Sequence, residues 1–179
     1  MLAFVTGGVR SGKSIAAVEA AFHSGLPVVF VATATAGDDE MIERIARHRL
    51  ERPAHWTTVE APRKVAEAVA AADADACVVV DCLSLWITNE LLADETMAVE
   101  ALDLMVDDLL SACANRGGPT IVVSNEVGAG IVPANRLGRS FRDLLGRANQ
   151  RVAAVADQAH LTVAGRLVDL GELVGTLRV

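Results

Sequence analysis

The chain has 179 residues, of which 52% are apolar and 22% charged, a size and composition that predict one domain over residues 1–179. The net charge of −7 provides no overall basic field and argues against a nucleic-acid partner. The longest apolar runs fall far short of the ~20 residues that cross a bilayer, and the three cysteines contain no C-x-x-C pair. We therefore expect a cytoplasmic protein with no membrane span, disulfide framework or zinc site.

Five apolar runs rich in β-branched residues predict strands, and most are continuous rather than alternating. These runs are Leu2–Thr6, Val28–Ala32, Ala76–Asp81, Thr120–Ser124 and His160–Ala164. Between them lie five segments with helical spacing, namely Ser14–His23, Asp39–Leu50, Arg63–Ala72, Val99–Ala114 and Asn135–Ala156. Strands that alternate with helices in this way predict an α/β fold with a mostly parallel sheet and helices on both faces.

The last helical segment carries an apolar stripe about 100° wide. The stripe consists of Leu137, Phe141, Leu144, Leu145, Ala148, Val152 and Val155. The arginines of the segment fall outside it, at Arg136, Arg139, Arg142, Arg147 and Arg151. These arginines are compatible with a solvated helix face or with a cluster that meets an anion or another subunit.

The segment between the first strand and the first helix matches the phosphate-loop motif G-x-x-x-x-G-K-[ST]. It consists of Gly7, Gly8, Val9, Arg10, Ser11, Gly12, Lys13 and Ser14. In such a loop the backbone amides face a phosphate, the lysine neutralises the β- and γ-phosphates, and the serine hydroxyl binds Mg²⁺. We expect the loop to lie at the surface, with Lys13 serving phosphate rather than packing. The alternative is a glycine-rich tight turn with an exposed lysine.

Two further residues are candidates for chemistry. Asp81 ends a buried strand, where a Walker-B aspartate would lie near the metal, although an aspartate that ends a strand is also common in turns. His48 follows Met41 by seven residues and falls at the edge of the apolar stripe of its helix. It can therefore face a cleft, or it can be an ordinary packed or surface histidine.

Several segments together resemble one family, the bifunctional adenosylcobinamide kinase/adenosylcobinamide-phosphate guanylyltransferases of cobalamin biosynthesis. Besides the phosphate loop, the matching segments are Ala32–Ala34, Asp39–Met41, Arg44-Ile45 with His48, Arg52–Trp56 and Thr88-Asn89. The most specific match is the run S-N-E-V-G-A-G-I-V-P at residues 124–133, which is followed by matches at residues 135–136, 141–143 and 146–151. The resemblance covers nearly the whole chain, from Leu2 to Gly165.

This resemblance implies a P-loop NTPase-like enzyme that phosphorylates adenosylcobinamide with ATP or GTP, with Mg²⁺ as cofactor. It then transfers GMP from GTP to the phosphorylated corrinoid through a guanylylated histidine. The matching histidine is His48, although Arg47 stands where some relatives carry the first histidine of a pair. The resemblance further implies a homotrimer and a guanine-nucleotide site lined by Thr33, Ala34, Thr35, Glu60 and Asp81.

Two other functions are compatible with the phosphate loop alone. A simple small-molecule kinase would leave His48 without a chemical role. A regulatory module that hydrolyses GTP slowly would use residues 125–133 as a switch loop. We interpret that run as a ligand-facing element, because Gly128 and Gly130 permit close backbone approach next to a strand end.

Overall fold

A computed structural model describes residues 1–171; residues 172–179 of the predicted domain lie outside the described residues. The strands are β1 (Leu2–Gly7), β2 (Val28–Ala32), β3 (Thr57–Glu60), β4 (Cys77–Asp81), β5 (Thr120–Val123), β6 (Gln158–Val163) and β7 (Arg166–Asp169). The helices are α1 (Lys13–His23), α2 (Asp39–Leu50), α3 (Val65–Ala71), α4 (Leu83–Ala93), α5 (Val99–Ala114) and α6 (Arg136–Val155).

The strands form one sheet in the order β3-β2-β4-β5-β1-β6-β7. Of these seven strands, β7 alone runs antiparallel to its neighbour. The central strands β1, β4 and β5 are buried almost throughout, which is why their sequences are continuous apolar runs rather than alternating ones. The predicted α/β fold with a mostly parallel sheet is therefore confirmed, and the order places the carboxyl end of β1 between β5 and β6.

Both faces of the sheet are covered by helices. One face packs against α3, α4, α5 and α6 around a core that includes Phe4, Trp86 and Leu145. The other face packs against α1, whose contact residues Ala17 and Ala21 are small and fully buried. Alanines allow α1 to lie close to the strands, and the phosphate loop leads directly into this helix. None of the helices formed by residues 1–171 is long and apolar enough to span a bilayer.

Three elements do not follow from the sequence patterns. Helix α4 buries Leu83, Trp86 and Leu91 on one side. Leu85 and the exposed Leu92 lie on the other side, so apolar residues surround the helix and it shows no amphipathic stripe. Strands β3 and β7 are short edge strands with mostly exposed side chains. Their sequences lack the apolar runs that identify the central strands.

Most of the apolar stripe predicted for α6 lies in or against the core. Its middle residues are buried in the core, and Leu137 and Phe141 pack against it from the partly exposed end of the helix. The prediction is wrong for Val155, which is 57% exposed at the last turn.

Two of the five arginines of α6 pair with the neighbouring helix α5. Arg147 donates to both carboxylate oxygens of Asp103 on α5, at 2.7 and 2.5 Å. Arg151 pairs with Asp103 and with Asp107, one turn further along α5. These contacts join two neighbouring helices of the same chain, so these two arginines are neither a free solvated face nor an unpaired anion site.

The contrast within the α6 stripe gives a matched test. Leu145→Ala should lower the free energy of unfolding by about 2–4 kcal/mol, because it leaves a cavity in a fully buried site. Val155→Ala should change it by no more than about 0.5 kcal/mol, since that side chain is mostly exposed. Urea unfolding of both variants measures the difference; equal losses would contradict the placement of α6.

Candidate nucleotide-binding site

The phosphate loop has a backbone that only glycine can supply at two positions. A Cβ on Gly7 would lie 2.5 Å from the carbonyl oxygen of Thr162 in β6. Gly12 begins α1 with φ of 98°, in the left-handed region, and its Cβ would meet the Cα of Gly165 at 3.3 Å. The Gly165 amide also donates to the Ser11 carbonyl at 2.8 Å. The turn between β6 and β7 therefore supports the loop from behind.

Lys13 is only 8% exposed, which differs from the expected surface position of the motif. Residues 8–10 are exposed, whereas Ser11 and Lys13 are buried beneath them. The Lys13 ammonium donates to the Gly8 carbonyl at 3.1 Å. Burial lowers the pKa of Lys13, an effect that the nearby Cys82 and Asp81 partly oppose.

A cavity of about 630 Å³ opens over the loop at the carboxyl edge of the sheet. It brings together eight of the residues expected at the site: Val9, Lys13, Ser14, Ala34, Thr35, His48, Glu60 and Asp81. A smaller cavity of about 340 Å³ adjoins it and shares Ser14, His48 and Asp81 with it. The remaining expected residues do not line either cavity; they are Gly7, Gly8, Arg10, Ser11, Gly12 and Thr33.

Thr33 lies behind the cavity wall rather than in it. Its side chain is fully buried and its hydroxyl donates to the Cys82 carbonyl at 2.8 Å while accepting from the Cys82 amide at 2.7 Å. Burial also raises the pKa of the Cys82 thiol to about 11, so the thiol is protonated at neutral pH. Thr33 therefore joins the ends of β2 and β4, where Asp81 lies.

His48 lies on α2, a helix at the surface of the protein. None of the twelve residues of α2 is buried, and the helix is capped by the Asp38 carboxylate, which accepts from the Met41 amide at 2.8 Å. The His48 side chain is 33% exposed, and its Nδ1 lies 3.5 Å from Oε2 of Glu51. Of the two positions that the sequence allows, the structure places His48 in the cleft.

Sequence reasoning missed three arginines that line the same cavity, at positions 44, 49 and 52. The Arg49 guanidinium pairs with Glu60. The Arg52 guanidinium lies 3.4 Å from the ring centroid of Phe30, and its Nη1 is buried without a hydrogen-bond partner in the described part of the chain. The four-residue spacing of Arg44, His48 and Arg52 is the signal that could have found two of these arginines, Arg44 and Arg52.

The run at residues 125–133 contributes one side chain to the cavity. Asn125 lines it, and its amide Nδ2 donates to the Ser84 hydroxyl at 2.9 Å. The Asn125 carbonyl accepts from the side chain of Asn149 on α6 at 2.9 Å. The following residues are mostly exposed, with Ile131 at 97%. The ligand-facing role of the whole run stays a prediction.

Solved structures with a similar fold define the class of protein. The RadB recombinase matches with a TM-score of 0.50 at 16% identity over 89% of this chain and 73% of its own. An ATPase from the type III secretion system of pathogenic bacteria matches with a TM-score of 0.54 at 11% identity over 89% of this chain and 51% of its own. Together with the phosphate loop, these likenesses identify a P-loop NTPase fold.

Sequence comparison identifies the family within that class. The family model for cobinamide kinase / cobinamide phosphate guanyltransferase matches residues 3–170. The bifunctional adenosylcobalamin biosynthesis protein CobP of Pseudomonas aeruginosa is 45% identical over 90% of this chain and 92% of its own length. CobU of Salmonella typhimurium is 42% identical over 92% of this chain and 97% of its own. The chain belongs to this family, which confirms the predicted family and enzyme class.

The two neighbouring glycines at the start of the loop provide a matched pair. Gly7→Ala should lower the free energy of unfolding by about 1–3 kcal/mol, because its Cβ would overlap a backbone oxygen that cannot move aside easily. Gly8→Ala should change it by no more than about 0.5 kcal/mol, since apart from its chain neighbours no atom of residues 1–171 lies within 4 Å of its Cβ position. Thermal unfolding without nucleotide checks this, and similar losses in both would contradict the described loop.

The buried lysine predicts a particular effect of Lys13→Met on stability. The pKa of Lys13 lies below its ordinary value of 10.5 in the folded chain, so the folded state binds fewer protons than the unfolded state between those two pKa values. The stability of the natural chain should therefore gain from this group as pH rises through that window. Lys13→Met lacks this titrating group, so its free energy of unfolding at neutral pH should equal or exceed that of the natural chain. The variant should nevertheless lose nucleotide binding. Marked destabilisation at neutral pH would show that Lys13 serves packing.

Proposed function

We propose that this chain performs both family reactions, cobinamide phosphorylation and GMP transfer, at the cavity over its phosphate loop. One observation carries the proposal: Lys13 and Ser14 of the loop share this cavity with His48 and Asp81. The residues of a phosphoryl-transfer site and a nucleophilic imidazole therefore have access to one bound nucleotide. A single domain over residues 1–179 would then be sufficient for both steps.

The charge distribution favours a nucleotide polyphosphate as the ligand. The chain has a net charge of −7, yet the cavity is lined by Lys13 and by the arginines at positions 44, 49 and 52. Of the acidic residues on its wall, Glu60 is already paired with Arg49. The cationic groups left over, among them the buried Arg52 Nη1, are suited to phosphate oxygens of ATP or GTP.

The kinase step requires transfer of the γ-phosphoryl group to the hydroxyl of the cobinamide side chain. The bond between the γ-phosphorus and its bridging oxygen breaks, a new phosphorus–oxygen bond forms, and the hydroxyl loses its proton. The loop amides and Lys13 hold the β- and γ-phosphates and balance the charge that develops on the leaving diphosphate. Nothing in this step uses His48.

Mg²⁺ is the metal that suits the polar residues at this site. Ser14 and Asp81 line both adjoining cavities. A hydroxyl and one carboxylate suit Mg²⁺, which keeps several bound waters and takes its other ligands from substrate phosphates. Residues 1–171 contain no cluster of three or more histidine, cysteine, aspartate or glutamate side chains, so an all-protein metal cage is not expected there. When bound, Mg²⁺ would screen the charge of the phosphates.

The guanylyl step uses His48 as nucleophile. A neutral imidazole nitrogen attacks the α-phosphorus of GTP and pyrophosphate departs, which leaves GMP bonded to the ring. An oxygen of cobinamide phosphate then attacks the same phosphorus and releases His48. The Glu51 carboxylate near Nδ1 favours the tautomer with its proton on Nδ1, which leaves Nε2 free to attack.

The family resemblance supports two further proposals, a homotrimer and a cytoplasmic location. Light scattering on the purified protein tests the first, with a mass of three chains as the expected result.

The competing function, a simple small-molecule kinase, has no use for a histidine that lines the cavity. A regulatory GTP-hydrolysing module would bind nucleotide without acting on a corrinoid.

His48→Ala should separate the two activities. We expect GMP transfer and covalent labelling by α-labelled GTP to fall at least about 1,000-fold, because the nucleophile is missing. Kinase activity should remain within about threefold of the natural level, since the phosphate loop is intact. His55→Ala is the matched control, because His55 is exposed and lines neither cavity. Undiminished labelling of His48→Ala would exclude His48 as nucleophile.

A further inference from the structure

Asn89, on helix α4, connects two loops that form different walls of the nucleotide cavity. Its side-chain Nδ2 donates to the carbonyl oxygen of Thr33 and to that of Pro62, each at 2.8 Å. Thr33 begins the loop between β2 and α2, and Pro62 lies in the connection between β3 and α3. Both protons of one planar amide are therefore used to hold two separate chain segments.

The two segments carry residues expected to contact the nucleotide. Ala34 and Thr35 follow Thr33 and line the cavity, and Glu60 and Pro62 line it on the other segment. Asn89 itself does not line the cavity, so it acts from behind the wall. Its Oδ1 also lies within reach of the Thr35 hydroxyl, at 3.4 Å.

Helix α4 is a rigid base for this contact. Trp86 and Glu90 lie on the same helix face as Asn89 and are 2% and 9% exposed. The Trp86 indole N–H donates to the Arg63 carbonyl at 2.8 Å, and Glu90 accepts two hydrogen bonds from the Arg63 guanidinium. Three side chains of α4 thus fix the connection at residues 62–63, and Asn89 alone among them also reaches the Thr33 loop.

We infer that Asn89 is a positioning residue that fixes the separation of these two walls and so controls affinity for the base of the nucleotide. It makes no hydrogen bond to the phosphate loop within the described residues, so phosphate binding should not depend on it. The inference rests on the proposed function, because it takes the walls at residues 34–35 and 60–62 to hold guanine.

Asn89→Asp is the sharpest variant. It keeps the shape of the side chain but replaces both N–H donors with a carboxylate oxygen that faces two carbonyl oxygens. Asn89→Ala removes the contact without adding charge and serves if the aspartate variant does not fold. Thr88→Ala is the matched control, because within the described residues the Thr88 hydroxyl bonds only to the Ser84 carbonyl of the same helix, at 2.8 Å.

The test compares binding of GDP with binding of inorganic pyrophosphate by calorimetry in the presence of Mg²⁺. We expect Asn89→Asp and Asn89→Ala to weaken GDP binding about tenfold or more and to leave pyrophosphate binding within about twofold. The KM for GTP in GMP transfer should rise by a similar factor at nearly constant kcat. Thr88→Ala should bind both ligands like the natural chain.

Three results would overturn the inference. Unchanged GDP affinity in both Asn89 variants would show that the hydrogen bonds from Asn89 to the two walls do not control base binding. Equal weakening of GDP and pyrophosphate would assign Asn89 a general structural role. If the natural chain bound GDP no more tightly than pyrophosphate, the proposed guanine site itself would fail, and this outcome is recognised before any variant is made.

Discussion

The burial of the Lys13 ammonium beneath the phosphate loop is the constraint on which the site depends. A cation can be kept there because the Gly8 carbonyl accepts a hydrogen bond from it. The loop also wraps tightly enough for its amides to face an anion. That tightness requires glycine at position 7, where β6 approaches to within contact of the backbone, and it requires the β6–β7 turn behind Ser11. The strand order, with β1 between β5 and β6, supplies both conditions.

Two helices with opposite properties complete the cavity. Helix α2 has no buried residue and carries His48 with its flanking arginines, so it brings chemical groups to the cavity from the outside. Helix α4 is largely buried and holds the opposite walls from behind through Trp86, Asn89 and Glu90. A fixed phosphate loop, a firmly held cavity wall and an exposed helix with the proposed nucleophile suit the proposed enzyme, in which one nucleotide site serves two transfers.

The sequence predicts those parts of the site that are encoded locally. Three of these parts are each recognised from a short stretch of sequence: the phosphate loop, the strand that ends in Asp81 and the spacing that turns His48 toward the cleft. Asn89 lies 56 residues from Thr33 and 27 from Pro62, and Arg147 lies 44 residues from Asp103, so none of these contacts is visible before the chain is folded. Helix α4 was not predicted because apolar residues lie on its exposed side as well, Leu92 among them, and this removes the periodicity that identifies a helix.

The proposed role of His48 is to carry GMP from GTP to cobinamide phosphate, and this role is tested by mapping the residue that becomes modified. The chain is incubated with GTP and Mg²⁺, denatured in alkali to preserve a phosphorus–nitrogen bond, digested, and examined by mass spectrometry. We expect the added mass of one GMP on the peptide that contains His48. Acid treatment should remove this mass, and so should cobinamide phosphate when it is added before denaturation. An adduct on Lys13 or Lys64, or an enzyme that transfers GMP without any adduct, would contradict it.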